Sequence, residues 1–121
     1  MAEIVSIGLI ELSSVATGFA VEDAMLKAAT VQILMARSIC SGKYLIVIAG
    51  DVASVTAAVQ AGAVVAGPSL IERRQIAQVD KSVLAAISNA VDIDPKELRS
   101  IGVIETFSAA SIIAVADECV K

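Results

Sequence analysis

The residue types that most often carry chemistry are scarce in this sequence, and histidine is absent altogether. That removes Ser-His-Asp and Cys-His relays as well as metal sites with imidazole ligands. Two thiols remain, Cys40 and Cys119. Cys40 stands in the run Ile39-Cys40-Ser41-Gly42-Lys43. A single cysteine after Ile39 fits a small buried hydrophobe. The Ser-Gly pair beside it fits a solvent-facing tip instead, where Lys43 favours a thiolate. The other candidates read more plainly. Asp23 and Lys27 are spaced i,i+4, the pattern of a solvated helical ion pair. Arg73-Arg74 reads as a solvated charge run. Gly50-Asp51 lacks the Gly-Lys-Ser/Thr that a phosphate loop needs.

A repeat organises these residues. Residues 6–27 read SIGLIELSSVATGFAVEDAMLK and residues 100–121 read SIGVIETFSAASIIAVADECVK. Aligned without a gap at an offset of 94, the two segments share 11 identities in 22 positions. Glu11 and Glu105 end equivalent strands, which predicts a shared structural role. Cys119 aligns with Met25, which predicts a core position. The sequence holds one full unit and the opening of a second, as a tandem protein cut short would.

The elements follow from local patterning. Residues 3–11 are β-branched with rough alternation, and Ser13-Ser14 offers a helix cap. Residues 15–29 read as a helix with Gly18, Val21, Met25 and Ala28 on one face. Residues 31–38 and 44–49 are two strands of a hairpin, with Gly42 permitting the turn. Asp51 caps a helix over about 52–65, ended by Gly67-Pro68. Residues 69–78 form a fourth strand, and Asp80 caps a helix near 81–89. Asp94-Pro95 opens a short turn. The order β-α-β-β-α-β-α, then β-α, indicates an α+β fold: a ferredoxin-like αβ sandwich, with a four-stranded antiparallel sheet and helices on one face. The other face and the edges then need a cover, and the apolar surplus favours self-association.

Composition narrows the function classes. A chain of 121 residues makes one ordinary domain with an appendage. Hydrophobic residues reach 57% and aromatics only 2%, so Ala, Val and Ile must pack closely without large aromatic pockets. A net charge of −4 has the wrong sign for nucleic acid. Mean hydropathy of +0.83 raises the question of a membrane. The charge-free run Val52–Ile71 carries Ser54, Thr56, Gln60 and Ser69 and is broken by Pro68, so no spanning helix is expected. No basic residue precedes Lys27, which argues against a signal peptide and for a cytoplasmic protein whose cysteines are free thiols or metal ligands.

The ordered set of motifs resembles the shell domains of bacterial microcompartments. Its pieces are Ile7-Gly8-Leu9-Ile10-Glu11, Asp23-Ala24-Met25-Leu26-Lys27-Ala28-Ala29, the tip Ser41-Gly42-Lys43, and Gly50-Asp51-Val52 with Val55, Ala58 and Val59. The likeness covers residues 4–78. It implies a complete shell domain at 1–90, a connector at 91–99, and at 100–121 the strand and first helix of a second repeat. Ile39-Cys40-Ser41-Gly42-Lys43 is most similar to the tandem-domain, iron–sulfur-binding type of the propanediol-utilisation compartment. The resemblance implies a homo-oligomer, trimer or hexamer, tiling with other shell proteins in the cytoplasm as flat pseudo-hexagonal discs. Ile39, Ser41, Gly42 and Lys43 would line the central pore, and Lys27 would meet its counterpart at the edge between discs. Cys40 would be the metal ligand, one thiol from each of three chains holding a 4Fe–4S cluster on the axis.

Two other classes compete. α+β sandwiches also serve as small-molecule-binding regulatory domains with no cluster. A conventional enzyme has no nucleophile–base pair to start from, so catalysis is not expected.

Overall fold

The structure is a computed structural model, and it describes residues 5–88 and 91–121. Local sequence starts each element. Ser14 accepts a hydrogen bond from the Thr17 amide at 3.2 Å and opens α1, Val15–Ala28. Asp51 does the same for the Ser54 amide at 2.9 Å and opens α2, Val52–Ala66. These caps each satisfy a backbone donor that the first helical turn leaves without a partner. Four strands, β1 Ser6–Leu12, β2 Gln32–Cys40, β3 Lys43–Gly50 and β4 Leu70–Ala77, form one antiparallel sheet in the order β2-β3-β1-β4. A short 3-10 turn at Gly67–Ser69 leads into β4. Two further helices follow, α3 at Lys81–Ser88 and α4 at Ala109–Val120.

The sheet separates two cores. On one face Ile10, Leu12, Tyr44, Ile46 and Ile48 pack under α1 and α2, which lie there together as expected. On the other, Ile7, Leu9, Leu45, Val47 and Ile76 meet Val83 of α3 and Ala110 and Ile113 of α4. The cover for that second face therefore comes from the same chain, so helices lie on both faces of the sheet and not on one as expected. Every residue of β1 is buried, which fits a strand enclosed on both sides and accounts for its unbroken apolar run. Gly8 sits where α2 crosses closest: a Cβ there would lie 2.5 Å from Val59 and 2.9 Å from Val55. The apolar stretch Val52–Ser69 has the length and mean hydropathy, 1.3, of a membrane span. Here Val55, Ala58, Val59, Gly62, Ala63 and Ala66 of α2 are buried in the structure, the pattern of a core helix.

The second repeat departs from expectation. Its helix forms, as α4, but residues 101–106 make neither helix nor strand. Ile101 and Val103 are each 84% exposed. The strand expected there pairs with none of the four strands, and the position it mimics, between β3 and β4, is held by β1.

Candidate functional site

The hairpin between β2 and β3 carries the candidate thiol. Cys40 ends β2, pairs in register with Lys43 at the start of β3, and leaves Ser41-Gly42 as a two-residue turn. Gly42 has φ +74°, a conformation that side chains with a Cβ resist, so glycine sets the tightness of the tip. The ladder shifts register between Ser38 and Cys40, which re-aims the last residue of the strand. Cys40 is exposed and its thiol is free. Ile39, one position back, is half-buried and packs against the second core, anchoring the tip. Ser41 and Gly42 are exposed and Lys43 is half-buried. The sequence therefore located the tip correctly, and the solvent-facing reading of Cys40 holds over the buried one.

An open pocket of about 490 Å³ lies behind the tip, between Cys40, Lys43 and Glu11 on one side and residues Ile104–Ala109 on the other. Among the described residues, no group of three Cys, Asp or Glu side chains is placed to hold a metal ion. At the tip a single chain thus presents one accessible thiol. That donor fits an iron–sulfur group only as one member of a set supplied by several copies.

The remaining sequence candidates fall elsewhere. Lys27 Nζ lies 2.6 Å from Asp23 Oδ2, with side chains 76% and 62% exposed, a surface ion pair on α1. Arg74 Nε lies 2.6 Å from Glu72, so half of the expected charge run is paired. Cys119 is exposed, which corrects its assignment to the core. The reason is rotation. α1 buries Gly18, Val21 and Met25, whereas α4 buries Ala110, Ile113 and Asp117, two positions earlier in the aligned repeat. Two residues amount to about 200° around a helix, so α4 turns the opposite face inward.

Glu11 and Glu105 do not share a role either. Glu105 is exposed, while Glu11 is buried to 1% and accepts from the Ala109 amide at 2.7 Å and the Ala110 amide at 3.2 Å. Glu72, its register partner across β1 and β4, accepts from Ser111 Oγ at 2.8 Å and from Ser108 Oγ. Burial pushes the Glu72 carboxyl up, but hydrogen bonds from Ser108, Ser111 and Arg74, with the Arg74 charge, outweigh it and hold the group below its ordinary range. Sequence reading passed over Glu72. The signal available was a second glutamate in an alternating strand, together with the Ser-x-x-Ser spacing of Ser108 and Ser111.

Comparison with known proteins gives a consistent picture. A family model described as the BMC domain matches residues 6–79. The chain is 40% identical over 116 residues to the bacterial microcompartment shell protein PduT of Citrobacter freundii, covering 96% of this chain and 62% of that one. A solved microcompartment protein from Desulfitobacterium hafniense superposes with a TM-score of 0.76 at 40% identity, over 95% of this chain and 63% of the other. The chain thus spans somewhat under two-thirds of the length of these relatives.

Proposed function

From the premise that this chain belongs to the BMC domain family, we propose that the protein is a structural subunit of a bacterial microcompartment shell, located in that shell and not an enzyme. The observation that carries this reading is the match of residues 6–79 to the family, combined with a sandwich whose hairpin tip stands clear of the core. The 40% identity to a shell protein over nearly the whole chain supports it. In this role copies join head to tail into a closed flat ring, a trimer or hexamer, alongside other shell proteins. Ile39, Ser41, Gly42 and Lys43 form the pore loop, and Lys27 lies at the ring edge.

The same reading assigns Cys40 as a cluster ligand. Three copies would each supply the Cys40 sulfur to a 4Fe–4S group, which would provide one-electron transfer across the shell. The chain's own residues prepare this: Gly42 lets tips approach, Ile39 pins each tip to the core, and Lys43 offsets part of the negative charge of the thiolates. Anaerobic purification with iron and sulfide analysis, alongside light scattering, tests the proposal. A brown ring that Cys40→Ser turns colourless without changing its size is the expected result. A monomer at tens of micromolar defeats the ring, and iron retained in Cys40→Ser but lost in Cys119→Ser defeats the ligand assignment.

A further inference from the structure

Just beyond the hairpin tip, β3 places a tyrosine against α1. Three aromatic side chains occur in the chain, Phe19, Tyr44 and Phe107, and two of them meet there. Tyr44 follows Lys43, stands opposite Ser38 of β2 and is 5% exposed. Its ring crosses α1 at Gly18, where an added Cβ would lie 2.5 Å from a ring carbon. The Phe19 ring lies beside it, with centroids 5.8 Å apart. Beyond the ring, the hydroxyl donates to Glu22 Oε1, four residues on from Gly18 and so on the same side of the helix. Gly18, Phe19 and Glu22 thus form a slot, with a gap for the ring, a wall beside it and an acceptor at its end.

The slot bears directly on the tip. The ladder between β2 and β3 shifts register between Ser38 and Cys40, so regular backbone pairing does not fix the last rung. Side chains hold it instead. Ile39 packs against the second core and Tyr44 lies in the first, so the two strands of the hairpin are anchored on opposite faces of the sheet. Packing alone would be satisfied by a phenylalanine. The hydroxyl adds a direction, because a buried phenol needs its acceptor. Burial and the Glu22 carboxylate push that hydroxyl up to about 12, so it stays protonated and donates throughout the neutral range. The slot also belongs to the first copy of the repeat alone. The aligned residues of the second copy are Ile112, Ile113 and Ala116, which offer neither gap nor acceptor, although half of the aligned positions are identical.

We propose that Tyr44 is a positioning residue for the tip: held by Glu22 in the slot that Gly18 and Phe19 open on α1, it fixes where the Cys40 sulfur stands. This rests on the reading of the tip as a pore loop. A group assembled from several chains needs every donor in place at once, and each tip can wander little. Phenylalanine at this position would fill the same space but leave the tip free to swing about its Ile39 anchor.

Backbone amide relaxation, measured by NMR on the iron-free protein, reads the order of the tip. In the unaltered protein the order parameters of residues 39–43 should match those of α2, about 0.85. Tyr44→Phe should lower them toward about 0.6 while α2 keeps its value. Glu22→Ala should do the same, and Tyr44→Phe/Glu22→Ala should do no more, since both changes remove one hydrogen bond. Glu22→Gln, whose amide oxygen still accepts, should keep the order of the unaltered protein. Unchanged tip order in Tyr44→Phe, an equal loss in α2, or a double variant that loses the sum of the two overturns the proposal. Iron loading separates this result from the ring and cluster. If the unaltered protein takes up iron and sulfide, Tyr44→Phe should hold less of both at unchanged ring size, and equal content overturns the role in placing Cys40. An unaltered protein that stays colourless defeats the cluster, and the relaxation data then decide the slot by themselves.

Discussion

Residues 6–27 and 100–121 are half identical, yet one builds the centre of the molecule and the other covers its back. In the first, the strand lies between two neighbours with all seven residues buried, and the helix above it turns Val21 and Met25 inward. In the second, the strand segment is unpaired, and the helix turns Ala110, Ile113 and Asp117 inward instead. The caps are reproduced: Ser14 on Thr17 and Ser108 on Ser111, at 3.2 and 3.1 Å. So are the ion pairs, Asp23–Lys27 on the surface and Asp117–Lys121 with a buried carboxylate. Interactions within three or four residues thus survive duplication, because they need only the helix. Pairing and face selection do not, because they need a partner from elsewhere in the chain.

Equivalent substitutions in the two repeats sharpen this contrast. The largest difference is expected at Ile10 and Ile104, which are 0% and 51% exposed. Ile10→Ala should cost about 2–5 kcal/mol in urea unfolding. Ile104→Ala should stay within about 0.5 kcal/mol. Equal losses would mean that residues 100–106 are packed in solution.

Gly8 and Gly102 come next. A methyl at Gly8 collides with Val59 and Val55, and Gly8→Ala should lower stability by about 1–3 kcal/mol. Nothing lies within 4 Å of the same atom at Gly102, so Gly102→Ala should leave the melting temperature unchanged.

The capping serines should differ by less. Ser14→Ala removes a cap, at about 1 kcal/mol. Ser108→Ala removes the matching cap and also a donor to Glu72, so it should weaken α4 at least as much and bring the Glu72 carboxyl up toward its ordinary value. A carboxyl titration followed by NMR checks the direction. The contribution of Glu72 to folding stability is complete above the ordinary glutamate range and is lost as pH falls through its lowered folded-state value.

The smallest effect belongs to the ion pairs. Lys27→Ala should change stability by about 0.3–0.5 kcal/mol at most, since both side chains are well exposed. Lys121→Ala leaves a buried carboxylate with one backbone donor and should cost more. The reverse order, measured by thermal melts, would contradict the burial of Asp117.

Much of the fold was legible beforehand because its signals are short-range. The hairpin tip at Cys40–Lys43 follows from one glycine between two apolar runs, and the helix starts follow from Ser14, Asp51 and Asp80. The family likeness rests on the same local strings. The seat of the α4 N-terminus on two glutamates was not legible, since Glu11 and Glu72 meet it across 98 and 36 residues of chain, and the spacing of Ser108 and Ser111 does not say which carboxylate they reach.

By itself, then, the sequence determined which segments turn, cap and coil, and that a thiol would stand at a glycine-tightened tip. Those outcomes depend on backbone sterics and on hydrogen bonds a few residues long. Tertiary structure alone decided which copy of the repeat becomes a strand and which face of its helix is buried. Strand pairing and face burial both need a partner from elsewhere in the chain: β3 and β4 hold both sides of β1, and of the second copy only the helix is buried, with Ala110 and Ile113 on the face that α1 and α2 leave free.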